Sequence, residues 1–303
     1  MVDGWIILDK PLELGSTQAV AAVKRNLRAA GYGKCKVGHG GTLDPLATGV
    51  LPIAIGEATK LCGRMLDASK VYAFTVRFGE ETDTLDLEGK VVATSDVRPS
   101  GLEIKTVLPH FTGPIAQVPP AYSALMIDGE RAYDLARKGE TFEIKSRDVT
   151  IHSLVAAPQQ EAGELEELTL TAHVSKGTYI RSLARDIARV LGTVGHVTML
   201  RRLKAGPFEI SQAISLDKLN DVGKGAPLEH VLLPLEAGLV DIPALSLDPE
   251  QARAVRQGRV LAGLPFEDGL YWAKAGSVPV ALVELSGGSL KVQRGFNITD
   301  VAE

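Results

Sequence analysis

Residues 38–51 constrain this chain more than any other stretch: Gly38-His39-Gly40-Gly41-Thr42-Leu43-Asp44-Pro45-Leu46-Ala47-Thr48-Gly49-Val50-Leu51 places one carboxylate on a glycine-punctuated loop that runs into an apolar strand. Glycine lets the backbone turn sharply and approach a ligand closely, while proline fixes its own φ and biases the preceding residue, here Asp44, toward an extended conformation. A side chain held this way has little freedom to wander. The same composition also makes ordinary connections, since Asp-Pro is a common turn former and glycine-rich loops often only join elements. Loops braced by a rigid scaffold are nonetheless where catalytic groups concentrate.

The elements around the loop follow from periodicity. Trp5 to Asp9 reads as a strand closed by Lys10-Pro11, and Ser16 as the N-cap of a helix whose Val20, Val23, Leu27 and Ala30 keep helical spacing up to Gly31. Val50 to Ile55 is an apolar strand and Glu57 to Leu66 a helix. Lys70 to Phe78 alternates, with Tyr72, Phe74, Val76 and Phe78 on one face and Val71, Ala73, Thr75 and Arg77 on the other. An acidic turn over 82–89, a short helix within 101–113, a strand over 123–127, an Asp128-Gly129 turn and a helix over 132–138 follow. Val149 to Ala156 and Leu168 to Val174 read as antiparallel strands joined by a glutamate-rich loop. From 178 to 191, Ile180, Leu183, Ala184, Ile187 and Leu191 form one apolar helical stripe, so this helix packs on a sheet. Strands and helices mix without strict βαβ alternation, which gives an α+β fold. Residues 221–227 read as a surface linker, and beyond 242 a helix over 249–257 precedes brief strands spaced by glycine and proline. The expected division is a domain over 1–220, a connecting segment over 221–241 and a small β-rich module over 242–303.

With 303 residues, 45% hydrophobic and 23% charged, the chain has the length and composition of a two-domain globular protein. No apolar run approaches the roughly 18 residues that span a bilayer, and Asp3 followed by strand-like residues does not read as a secretory leader, so a cytoplasmic protein is expected. Cys35 and Cys62 form no C-x-x-C pair and are expected as reduced, buried thiols, while the scattered six histidines predict no metal site. Net charge is −4, yet seven basic residues stand against one acid between Lys176 and Lys204, a local +6 suited to a polyanion.

Residues 38–51 resemble the active-site motif of the bacterial tRNA pseudouridine-55 synthases, the TruB family, whose pattern G-H-x-G-x-L-D-P-x-A-x-G-x-L is matched at every fixed position. The resemblance extends in order through Asp9-Lys10-Pro11 with Ser16, Gly56-Glu57-Ala58-Thr59-Lys60, the strand around Tyr72, Lys176-Gly177-Thr178-Tyr179-Ile180-Arg181, and Gly195-His196-Val197 to Leu200-Arg201-Arg202. Several ordered motifs are a far stronger signal than one. The family implies a pseudouridine-synthase fold with a mixed, mainly antiparallel sheet, and a C-terminal PUA-like RNA-binding domain over 242–303 that includes Arg294-Gly295-Phe296-Asn297.

The reaction so implied detaches a uracil from its ribose at N1 and reattaches it through C5, with no cofactor and no metal. The substrate is uridine 55 of the TΨC loop, in the T arm of tRNA, and no obligate protein partner is expected. Asp44 fills the carboxylate role, attacking C1′ or deprotonating C2′. Arg181 is its cationic partner; two charges at 4 Å attract by roughly 4 kcal/mol at an effective dielectric of 20. By pattern alone Arg181 would share a solvated helix face with Arg185 and Arg189, but a cation in a helix's first turn is unfavourable without an anion. Tyr72 reads as core by its strand face, whereas the resemblance sets it against the target base, where it helps with the C5 proton. Tyr179, off its helix's apolar stripe, and Leu200 are expected to contact the nucleotide. His39 could serve as base, ligand or stacking platform, and the resemblance favours stacking: extruding a base costs a few kcal/mol, and each base stacked on an aromatic ring recovers roughly 1–3 kcal/mol. Lys60 and Lys10 are placed to touch phosphate. A tRNA-remodelling protein without isomerase activity is the rival reading, and a glycoside hydrolase is disfavoured because no second acid accompanies Asp44 in a matched motif.

Overall fold

The computed structural model describes residues 2–157 and 163–298. The chain gathers into two compact units, one made of Met1–Leu43, Val50–Leu66 and Gly206–Glu303, the other of Asp44–Gly49 and Asp67–Ala205.

The second unit is built on the strand Lys70–Phe78, whose alternation is read from sequence at its full length. It pairs antiparallel with Glu167–Val174 on one side and Gly195–Ala205 on the other. Beyond Glu167–Val174 come Arg147–Ala156 and then Gly113–Gln117, both antiparallel. Gly195–Ala205 takes the start of Ala47–Ile55 as a parallel neighbour, Leu200 opposite Ala47 and Arg202 opposite Gly49. The result is a mixed, mainly antiparallel sheet. Gly195–Ala205 carries two bulges against Lys70–Phe78, between Val197 and Met199 and between Arg202 and Lys204.

One face of this sheet is covered by the helix Ile180–Val190. Its Ile180, Leu183, Ala184 and Ile187 are buried with Phe74, Val76, Phe78, Leu170, Ala172 and Val174. Each fully buried large apolar side chain contributes about 1.5–3 kcal/mol. On the other face the hydroxyls of Thr75 and Thr169 meet at 2.9 Å, and Arg77 and Thr171 are exposed. A sheet packed on one face and polar on the other gives the alternation seen in the sequence.

The first unit holds the strand Gly4–Lys10, buried along nearly its whole length. Trp5 anchors it, donating from Nε1 to the Leu235 carbonyl at 3.1 Å and packing on Phe208 at 5.0 Å. The helix Ser16–Ala29 packs on Leu216–Gly223, with Asn26 Nδ2 donating to Asn220 Oδ1 at 3.0 Å. Val37–His39 pairs with the end of Ala47–Ile55. Towards the C-terminus, Ala244–Ser246, Gly269–Ala275, Val278–Ser286, Ser289–Gly295 and Leu261–Ala262 form a five-stranded sheet. With the helix Pro249–Arg256 it encloses a core around Leu245, Val255, Val283, Leu285 and Leu290.

Several expectations are corrected. Gly15, not Ser16, occupies the N-cap, because Ser16 is buried and spends its hydroxyl elsewhere. The strand expected over 123–127 shrinks to Met126–Ile127, since the Ser123 amide folds back to the Ala121 carbonyl at 3.0 Å. Asp128 and Gly129, at φ 50° and 92°, turn it into a two-residue hairpin. The start of the supposed linker is helix: Ser215 caps Leu216–Gly223, and Val222 is buried. Its glycines disguised that ending. Around the acidic turn, Glu80–Thr82 and Val91–Thr94 pair as a hairpin. Cys35 and Cys62 are free but only half-buried. The glutamate-rich loop lies partly outside the described residues, at 158–162.

Two substitutions test this packing. Gly49 sits at φ +99°, and a Cβ there would lie 2.2 Å from the Arg202 carbonyl oxygen. Gly49→Ala should therefore lower stability by about 2 kcal/mol or more and the melting temperature by at least about 4 °C in a thermal scan. Lys70 is buried, and desolvation followed by the nearby Arg202 charge lowers its ammonium to about 8. Its folded value lies below its unfolded one, so the folded state binds fewer protons between them and stability rises with pH from about 8 to about 10.4. Lys70→Met should melt higher than the parent below pH 8, with the gap closing as pH approaches about 10; melting curves from pH 7 to 10 measure it.

Candidate active site

The residues on either side of Asp44 are fastened by hydrogen bonds. The Ser16 hydroxyl donates to the Leu43 carbonyl at 2.9 Å and accepts the Leu43 amide at 2.8 Å, fixing the residue just before Asp44. The Ala47 amide donates to the Asp44 carbonyl at 3.0 Å, closing the turn into the strand. The start of the helix Ile180–Val190 is equally constrained. The Tyr179 amide donates to Gln117 Oε1 at 2.8 Å, and Ser182 Oγ to the Val118 carbonyl at 2.8 Å.

Arg181 projects from this helix's first turn and is not on a solvated face; only 8% of its side chain is exposed. One terminal nitrogen lies 2.9 Å from Asp44 Oδ2 and donates to the Tyr122 carbonyl at 3.0 Å. The other lies 3.3 Å from Asp86 Oδ2 and donates to the Thr84 carbonyl at 2.7 Å. The planar fork therefore spans two carboxylates and two carbonyls. Asp86 is itself held by Thr84 Oγ1 at 2.6 Å and the Glu88 amide at 3.0 Å. Its side chain is 11% exposed, against 46% for Asp44. Of the two carboxylates on the guanidinium, Asp44 is thus the one open to a ligand. A cavity of about 290 Å³ lies against them, lined also by Leu46, Leu87, Val197 and Leu200. That volume is at the small end of ligand sites, which run from roughly 300 Å³ upward.

The structure brings Asp44, Arg181 and Leu200 together at this cavity. Tyr72 is half-buried, in register with Ala172 and Arg202, and does not line it. Tyr179 stands one residue before Arg181 with the Arg147 guanidinium 5.9 Å from its ring centre. His39 ends the strand Val37–His39 in the first unit, its Nδ1 accepting the Gly41 amide at 3.4 Å. Lys60 lies 2.6 Å from Glu57 Oε2 and donates to the Gly295 carbonyl at 2.8 Å. Lys10 donates to the carbonyls of Pro11 and Leu14 at 3.0 and 2.6 Å. These two ammonium groups thus serve local structure.

The basic run also reads differently in space. Lys176 pairs with Asp67, Arg185 with Asp186, Arg189 with Glu81 and Arg181 with Asp44 and Asp86, so much of the charge counted along the sequence is neutralised locally. Asp86 is the residue that sequence reading missed. It stood in a segment read only as an acidic turn, with no spacing to tie it to Arg181. Among the described residues no group of three or more His, Cys, Asp or Glu side chains could hold a metal ion, and no helix is long and apolar enough to cross a membrane.

Residues 25–180 match the model of the TruB family pseudouridylate synthase N-terminal domain, and residues 181–240 that of the tRNA pseudouridylate synthase B C-terminal domain. The chain belongs to the TruB family. It is 80% identical over the full length of both chains to tRNA pseudouridine synthase B of Novosphingobium aromaticivorans. To the protein of the same name from Zymomonas mobilis it is 58% identical, over 97% of this chain and 96% of that one. Among solved structures it resembles a chain in the crystal structure of a Cbf5-Nop10-Gar1 complex, with a TM-score of 0.73 and 26% identity over 97% of this chain and 84% of that one. The fold is that of the pseudouridine synthases. In this TruB chain Asp44 lies within the first matched region and Arg181 opens the second, so their ion pair joins the two.

Because the fork reaches four acceptors, an ammonium cannot replace it. Arg181→Lys should lower synthase turnover about a hundredfold or more, near 2.7 kcal/mol of barrier, despite conserving charge. Asp86→Asn, which leaves Arg181 one anion short, should lower turnover about tenfold or more with substrate affinity nearly unchanged. Single-turnover rates with a binding isotherm measure both; a lysine variant as active as the parent would remove Arg181 from the site.

Proposed function

We propose that this TruB protein is a tRNA pseudouridine-55 synthase, converting uridine 55 of the TΨC loop to pseudouridine. The observation that carries this reading is the open Asp44 carboxylate held on a buried arginine at the mouth of a nucleoside-sized cavity. A carboxylate so placed can serve as the nucleophile or base that loosens the bond from N1 to C1′, and Arg181 keeps its charge compensated once RNA excludes water. No group is added or lost: the bond at N1 breaks, one forms at C5, and the C5 hydrogen leaves as a proton. The names of the relatives support tRNA as substrate.

Within this reading Tyr72, Tyr179, Leu200 and His39 contact the target nucleotide and its neighbours. A tRNA substrate places the protein in the cytoplasm. Residues 242–303 form the PUA-like RNA-binding module; support comes from the five-stranded sheet with its own core and from exposed Arg253, Arg256 and Arg259. With six basic and eight acidic residues over 240–303, that module contributes a local basic edge, not a basic surface.

Release of tritium from tRNA labelled at uridine C5 is the direct test, since isomerisation at that position expels the hydrogen. The parent should release one equivalent at position 55. Asp44→Asn should bind tRNA within about tenfold of the parent while falling below about one percent of its rate, near 2.7 kcal/mol of barrier. Binding without any tritium release by the parent would favour the tRNA-remodelling reading instead.

A further inference from the structure

Two of the large apolar side chains left exposed among the described residues also line the Asp44 cavity, Leu87 at 57% and Met199 at 38%. A lone exposed leucine is commonplace and calls for no explanation. Leu87 is set apart by what holds it. It directly follows Asp86, in a turn pinned on both sides. Thr82 Oγ1 donates to the Asp86 carbonyl at 2.6 Å, and the Glu88 amide to Asp86 Oδ1 at 3.0 Å. The Val197 amide donates to the Leu85 carbonyl at 2.9 Å, and the Lys90 amide to Asp83 Oδ1 at 2.9 Å. Leu85 is held at φ 63°, a left-handed conformation disfavoured for leucine, and its side chain is buried. The chain thus accepts strain to bury one leucine and, two residues on, presents another to the cavity. Backbone strain of this kind persists only where the surroundings over-determine it, and it clusters at ligand sites.

The chemistry of the substrate matches that arrangement. A uracil that leaves its ribose through N1 and returns through C5 must turn in place, so the contacts that retain it must act by shape and not by hydrogen bonds that fix one orientation. Leu46, Leu87, Val197, Met199 and Leu200 give the cavity such an apolar wall beside the two carboxylates. We propose that Leu87 is a substrate-contact residue, covering the uridine seated at Asp44 and becoming buried only when the nucleotide is in place. This rests on the pseudouridine-synthase reading and adds to it a contact outside the matched motifs.

The test is steady-state kinetics by tritium release on a T-arm hairpin, for the parent, Leu87→Ala, Leu87→Met and Leu87→Asp, with melting temperatures measured alongside. Because Leu87 is exposed in the free protein, all four should melt within a degree or two of one another. Leu87→Ala should raise KM about five- to tenfold with kcat within about twofold, the signature of binding lost equally from ground and transition states. Leu87→Met, of similar volume, should keep the parent KM, and Leu87→Asp should raise it beyond the alanine value. An unchanged KM in both the alanine and aspartate variants overturns the proposal, as does a fall in kcat alone, which would mean that the side chain acts through Asp86 and Arg181. No tritium release by the parent would instead overturn the reading of function.

Discussion

The guanidinium of Arg181, shared between Asp44 and Asp86, is the interaction on which the site depends. A buried cation is costly unless paired and fully hydrogen-bonded, and removing one partner of such a pair is more damaging than never having built it. Here the cost is met by two carboxylates and two carbonyls that converge from separate segments of one unit. Asp44 comes from the loop before a strand, Asp86 and Thr84 from a turn, Tyr122 from the segment after Pro119-Pro120, and Arg181 from a helix. Each segment must be in place for the charge to be satisfied, so the ion pair reports on the assembly of the whole unit. The arrangement is also asymmetric. One carboxylate is enclosed and the other half-open, which lets the second meet a ligand without leaving the arginine uncompensated.

What the sequence disclosed is what periodicity and local chemistry control. The strand Lys70–Phe78, the apolar stripe beginning at Ile180, the antiparallel pair around residues 149–174 and the Asp128-Gly129 turn were all legible, because each depends on neighbours within a few residues. Errors arose where a residue's partner lies far away in the chain. Ser16 has the chemistry of a cap, but its hydroxyl is claimed by Leu43, 27 residues on. Asp86 looked like one acid in a polar turn until Arg181, nearly a hundred residues later, gave it a role. The basic residues after Lys176 suggested a charged surface because their acidic partners at 67 and 81 could not be seen from the run itself.

The site was legible through its motifs more than through its physics. Asp44 could be singled out from glycine and proline placement, and the Arg181 pairing was anticipated by the electrostatics of a helix's first turn. The apolar wall could not be. Val197, Leu200 and Leu87 read as core or as chance exposure, and only the cavity shows that they face one space.

The bulge between Val197 and Met199 has a consequence for what this strand can tolerate over evolutionary time. In a regular strand, residues three apart point to opposite faces, yet Val197 and Leu200 both belong to the covered face. The extra residue at Thr198 resets the phase. Substitutions along Gly195–Ala205 change one contact each, whereas loss of a single residue there would invert everything downstream, exposing what is now enclosed. Length, more than composition, is what the lineage must keep at this point.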